Sequence, residues 1–192
     1  MSEKIIPVLL YETYEKLGTH KYEIINITTE WCPPCKGLKK AMPKLFKTPE
    51  FSDKDICVYV VDGDVCQAFE IFRKSIENDK TLSFPMDNSR FVKCLIKKIR
   101  DINRKTGKTF ANIAEKLISN FGLELKDEKI HLTDSFEELK SMTLPTEKFD
   151  VHAYPTLILH KDGEPIDETD RKIIGFLDEA TLRKNLLTFL SI

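Results

Sequence analysis

Apolar and polar positions alternate along this chain in blocks that match strand and helix lengths. Tyr22–Thr28 and Ile56–Val61 are mainly apolar runs rich in β-branched residues, the first interrupted by Glu23 and Asn26, as strands covered on both faces require. Between them the stretch from Pro33 carries Leu38, Met42, Leu45 and Phe46 at helical spacing, and Pro43 is expected to kink that helix. This predicts a strand–helix–strand unit with a right-handed crossover. Upstream, Ile5–Leu10 reads as an edge strand, where Pro7 is tolerated. Tyr11–Leu17 reads as a short helix ended by Gly18. Near the C-terminus, Tyr154–Leu159 and Lys172–Ile174 read as an antiparallel pair, with Asp162-Gly163 as the turn signal. Thr181–Leu190 closes the pattern as an amphipathic helix carrying Leu182, Leu186, Leu187 and Leu190.

The middle is different in kind. Val65–Asn78 places Phe69, Phe72 and Ile76 on one helical face, and Phe91, Leu95, Ile99 and Ile102 line a second helix. Phe110, Ile113, Ala114, Leu117, Ile118 and Phe121 fit the helical template of a third, ended by Gly122. Ser135 and Glu138 form a capping-box pattern for a short fourth helix. The basic residues Lys93, Lys97, Lys98, Arg100, Arg104 and Lys105 read as a solvated helix face.

Composition narrows the function classes. The 192 residues suffice for one domain, or one domain with an insertion. With 30 basic and 31 acidic residues, the net charge of −1 gives no electrostatic case for nucleic acid or an anionic membrane. No apolar run approaches the length of a membrane span. The first residues lack the cleavage-site pattern of a signal peptide. Five cysteines, an odd number, argue against a pure disulfide framework. A reducing compartment, the cytoplasm, is the expectation, with export as the alternative had a signal peptide been removed.

The candidate chemistry lies where the second apolar run meets the first long helix: Trp31-Cys32-Pro33-Pro34-Cys35-Lys36. Two cysteines separated by two residues at a strand-to-helix junction are the sequence form of a redox-active dithiol. With Cys32 as helix cap and Cys35 one turn in, the sulfurs can close a small ring. Cys32 then faces the unpaired N–H groups and positive end of the helix, which favour the nucleophilic thiolate. Lys36 adds positive charge nearby. Pro33 and Pro34 suit the first helical positions, where their fixed φ is helical and no N–H is needed. Cys32 is expected to be the exposed member and Cys35 to face inward. Half of a zinc site is the rival reading, but a structural site needs a second ligand pair. Cys57, Cys66 and Cys94 stand singly, and His20, His131, His152 and His160 form no suitable pair. We expect neither metal nor cofactor. Cys57, Cys66 and Cys94 read as small buried apolar residues, with pairing of Cys66 and Cys94 left open.

The Trp31–Lys36 motif resembles the active site of the thioredoxin superfamily, and its Pro-Pro form is similar to that of tryparedoxins and TlpA-like reductases. A second stretch agrees: Ala153-Tyr154-Pro155-Thr156 leading into an apolar strand, then Lys161-Asp162-Gly163-Glu164 and Gly175. It resembles the family's C-terminal half, in which a cis-proline precedes a strand. The resemblance covers roughly residues 21–64 and 150–190. It implies an α/β thioredoxin fold, a central mixed sheet flanked by helices, split as 1–64 and 150–192 around a mainly helical insertion at 65–149. It implies that Pro155 is cis and packs beside the dithiol, that Tyr154 offers backbone groups to an extended substrate, and that Trp31, Pro33 and Pro34 line the substrate's approach. It further implies thiol–disulfide exchange on protein or small-molecule disulfides, Cys32 attacking and Cys35 resolving through a mixed disulfide, by a monomer. Its partners would be a disulfide-containing protein or peptide and an upstream thiol electron donor. The alternative is a binding module whose insertion holds a partner while the dithiol acts as a switch. Two departures stand out. Asn26 occupies the position, six residues before Cys32, where the family usually has a buried carboxylate, and an amide cannot titrate; Glu30 is the substitute acceptor or a surface carboxylate. Pro43 lies three residues later than the family's helix proline. Ile130–Phe136, similar to a thioredoxin first strand and helix, reads as a chance match.

Overall fold

A computed structural model describes residues 4–8, 12–76, 97, 100, 104, 119, 121–126, 129–141, 143–166, 172–176 and 178–191. The apolar faces expected around Phe91–Ile102 and Phe110–Ile118, and Cys94, lie outside them. The chain divides into two compact units, Met1–Asp64 with Pro145–Ile192, and Val65–Leu144.

The first unit is built on a sheet whose strands come from both ends of the sequence. β1 (Ile5–Pro7), β2 (Tyr22–Thr28) and β3 (Ile56–Asp62) are mutually parallel in the order β1-β3-β2. The apolar β2 and β3 take the interior places, and β1, with its proline, takes the edge. β6 (Thr156–Lys161) joins β2 in antiparallel register, Ile24 opposite Leu159 and Ile25 opposite Ile158. This is the thioredoxin fold: two parallel pairings from the N-terminal part, an antiparallel strand added from the C-terminal part, and helices on either face.

The side-chain period of two sorts each strand into two faces. One face carries Tyr22, Ile24, Val58, Leu157 and Leu159, which pack with Leu38, Met42 and Leu45 of α2 (Pro33–Leu45) and Leu182, Leu186 and Phe189 of α7 (Glu179–Ser191). Pro43 lies inside α2, which continues past it to Leu45. Asp178 begins α7 by accepting the Thr181 N–H at 2.7 Å, and Arg183 pairs with Glu50 of α3 (Pro49–Ser52). On the other face Cys57, Glu23 and His160 form one row across β3, β2 and β6, all buried. Glu23 accepts hydrogen bonds from the backbone N–H groups of Gly18, Thr19 and His20 at 2.8, 3.1 and 3.2 Å, and from the Tyr59 hydroxyl at 3.3 Å. A buried carboxylate is tolerable only when satisfied in this way. It ties down the loop after α1 (Glu12–Glu15). Phe149, next to α6 (Pro145–Lys148), sits edge-on to the His160 ring, and Lys148 lies over the Tyr14 ring of α1. Lys4 directs its ammonium at three carbonyls, those of Phe51, Ser52 and Lys54, at 2.7 to 2.8 Å.

Some expectations need correcting here. β6 starts at Thr156, so Tyr154 and Pro155 form the bend that leads into it. The Asp162-Gly163 turn, with φ of 53° and 86°, joins β6 to β7 (Glu164–Pro165) and not to β8 (Lys172–Ile174). Two adjacent residues at positive φ make the tight turn that a two-residue hairpin needs. β7 stops at once, and β8 takes up the same edge of β6 further along, Thr156 opposite Ile174.

The second unit begins within α4 (Gly63–Ile76), which opens two residues earlier than its apolar face suggested. Phe69 and Phe121 pack with ring centroids 5.5 Å apart. Gly122 has the positive φ, 64°, expected after a helix end. It leads into a hairpin of β4 (Leu123–Lys126) and β5 (Lys129–Leu132), of which only the second strand had a sequence signal. α5 (Asp134–Ser141) starts two residues before the capping-box reading allows. Ser135 is therefore inside the first turn, its hydroxyl 2.7 Å from that of Thr133. Lys97, Arg100 and Arg104 are helical and exposed. No described helix is long and apolar enough to cross a membrane.

Candidate functional site

β2 and β3 are parallel neighbours, so their carboxyl ends reach the same rim of the sheet, where open α/β sheets place their ligands. Trp31 and Cys32 follow β2; Asp62, Gly63 and Asp64 end β3 and open α4. The bend before β6 brings Tyr154 and Pro155 to the same place.

Cys32 caps α2 with extended backbone, φ −79° and ψ 112°, and its sulfur accepts the Cys35 N–H at 3.2 Å. Pro33 and Pro34 fill the first helical turn and are exposed. Cys32 and Cys35 form a disulfide, their Cα atoms 5.3 Å apart. The local cause is the chain itself: prolines start the helix at Pro33, and the spacing sets Cys35 one turn above the cap. The Tyr154–Pro155 peptide bond is cis. Pro155 is buried, and the Tyr154 carbonyl oxygen lies 3.3 Å from Cys32 Sγ, placed to accept the thiol proton when the pair is reduced. The Gly175 N–H donates to the Pro155 carbonyl at 2.7 Å, which ties the bend to β8.

One expectation fails. Cys32 is as buried as Cys35, at 2% and 4% exposure. The cap position turns the sulfur back toward its own helix and under the Tyr154 bend, so exposure does not separate the two thiols. Their distinction is positional: Cys32 alone holds the cap and faces the helix's first N–H groups.

Trp31 is 63% exposed, one of two large hydrophobic residues so open among those described. It is nonetheless fixed. Its indole N–H donates to Asp64 Oδ1 at 2.9 Å, and its ring stands edge-on to Tyr154 with centroids 6.1 Å apart. Asp64 Oδ2 also accepts the Glu30 N–H at 3.3 Å. Glu30 is exposed. Asn26 is buried, and its Oδ1 finds no hydrogen-bond partner among the described residues; the same holds for Thr29 Oγ1. Cys57 and Cys66 are buried thiols, and burial pushes the Cys57 thiol above its ordinary range. The described residues contain no cluster of three or more His, Cys, Asp or Glu arranged to hold a metal ion.

All seven residues singled out in the sequence, Trp31 to Cys35 with Tyr154 and Pro155, therefore belong to one neighbourhood of the first unit. Sequence reasoning missed Gly63 and Asp64. The available signal was Asp62-Gly63-Asp64 closing a parallel strand, at the sheet edge where such residues tend to serve a site. Chemically, the arrangement can hold two electrons as a dithiol and give them up, with two protons, on closing the disulfide.

No protein-family model matches the chain, and no curated protein matches it. Among solved structures, it is similar to Trxlp from Edwardsiella tarda EIB202, at 13% identity over 94% of this chain and 95% of that one, TM-score 0.43. It is also similar to reduced Schistosoma mansoni thioredoxin pre-protein, at 15% identity over 97% and 99%, TM-score 0.44. Malassezia sympodialis thioredoxin (Mala s 13) gives 16% identity over 100% and 97%, TM-score 0.42. Likenesses at this level carry no statement about activity, and the fold stands on the strand order and register described above.

Proposed function

We propose that this protein is a thiol–disulfide oxidoreductase acting on protein or peptide disulfides, and that it works as a reductase. The observation that carries the reading is the Cys32–Cys35 disulfide closed across the N-terminus of α2, with Cys32 as the cap. In the reduced protein the Cys32 thiolate attacks one sulfur of a substrate disulfide, forms a mixed disulfide and expels the other sulfur as a thiolate, which takes a proton. The Cys35 thiolate then attacks Cys32 Sγ, restores the internal disulfide and releases the second substrate thiol. One disulfide is reduced and one formed, so an upstream thiol donor must recharge the pair. Trp31, Pro33, Pro34 and the Tyr154–Pro155 bend form the substrate's approach. Support for the reductive direction is the resemblance of the Pro-Pro motif to tryparedoxins and TlpA-like reductases and a cysteine set suited to a reducing cytoplasm.

The test is reduction of insulin by the recharged protein. Wild type turns over, Cys32→Ser is inactive, and Cys35→Ser accumulates a mixed disulfide visible on non-reducing gels. Normal turnover by Cys32→Ser would overturn the assignment. A reduction potential against glutathione near about −270 mV fits a reductant, and one near about −120 mV an oxidant.

A further inference from the structure

Trp31 presents an apolar ring to water and yet is held by a hydrogen bond and an edge-on ring contact. Pre-ordering an exposed aromatic side chain beside a reactive sulfur gives nothing to the core. It lowers the ordering cost of a contact made on binding. The holding parts come from the two residues that open α4. Asp64 supplies the acceptor for the indole N–H. Gly63 supplies space: a Cβ there would lie 2.7 Å from Tyr154 Cε1, 3.1 Å from its Cζ and 3.2 Å from Thr29 Cγ2. The Tyr154 ring thus rests on bare backbone, and any other residue at 63 would push it off.

We infer that Gly63 and Asp64 are positioning residues that set the Trp31–Tyr154 pair as a rigid contact for an apolar side chain flanking a substrate's disulfide, so that peptide and protein disulfides are preferred over small ones. This rests on the exchange reading above and adds its specificity element. The two residues touch neither the dithiol nor the substrate; they act through the rings.

Four variants test it: Gly63→Ala, Asp64→Ala, Tyr154→Ala, and Gly63→Ala combined with Tyr154→Ala. Substrates are insulin and hydroxyethyl disulfide, with the protein kept reduced. Gly63→Ala and Asp64→Ala each raise KM for insulin about three- to tenfold, while kcat for insulin and turnover of hydroxyethyl disulfide change by less than about twofold. In the Tyr154→Ala background, Gly63→Ala loses most of its effect, because the closest clash has lost its partner and only the Thr29 Cγ2 contact at 3.2 Å is left. Trp31 is the protein's single tryptophan, so its fluorescence anisotropy reads the ring directly and falls in Gly63→Ala and Asp64→Ala. This arm needs no activity and does not move if the residues only support the fold elsewhere. Unchanged insulin KM together with unchanged anisotropy overturns the inference. So does a Gly63→Ala effect that persists undiminished without the Tyr154 ring, or an equal loss on both substrates. If wild type reduces neither substrate, the exchange reading falls with its specificity element, and the anisotropy alone decides whether Gly63 and Asp64 hold Trp31.

Discussion

Cys32 shows how far a residue's neighbours decide its chemistry. Its cap position was legible, since Pro33-Pro34 announces a helix start and the spacing places Cys35 a turn away. Its burial was not legible, because the covering bend at Tyr154 arrives from more than a hundred residues later in the chain. The consequence for Cys35→Ser is slow exchange: the trapped mixed disulfide will persist in gels run after excess alkylating agent, whereas Cys32→Ser will trap none. Glu23 makes the same point outside the site. Nothing in an apolar run marks one glutamate as the acceptor for three backbone N–H groups. Glu23→Ala strands those donors, and is expected to cost roughly 3 kcal/mol, seen as a lowered urea midpoint with an unchanged slope.

Elements with a full buried face or a strong stop signal were legible; those defined by distant partners were not. β2, β3, α2 and α7 announced themselves by period and length. β7 and β8 did not sort themselves, because a turn signal says where the chain reverses and not how long the returning strand pairs. β4 is four residues long, too short for a period to register. Gly163 shows what the hairpin demands. It has φ of 86°, and a Cβ would meet the Gly18 Cα at 3.0 Å and its nitrogen at 3.3 Å, backbone that cannot swing aside. Gly163→Ala is therefore expected to destabilise by about 1–3 kcal/mol. Gly175→Ala, with similar φ but nothing near its Cβ, isolates the backbone part. Thermal midpoints of the two variants separate strain from collision.

At the scale of the whole chain, two sequence segments make one sheet while the stretch between them forms its own compact unit. The switch from alternating runs to helical periodicity after Asp64 carried that division, but periodicity could not tell which helices meet. The pH response also belongs to this scale. Burial holds the His160 imidazole below its ordinary value of 6.5, so the unfolded chain takes up its proton more readily. Stability from this group is complete above about 6.5 and is lost as pH falls from there toward the lower folded value. The urea midpoint should drop between about pH 7.5 and about pH 5.5, and His160→Leu should flatten that slope. A midpoint that rises on acidification, or the same slope in His160→Leu, would assign the effect elsewhere. Lys4 leaves one more mark of the fold. Its amine is seated among the carbonyls of residues 51, 52 and 54, whereas Lys39, Lys40 and Lys44 lie on the surface. Acylating reagents offered to the native protein will modify those three early and Lys4 late, so the lag in its labelling times the release of the N-terminal strand.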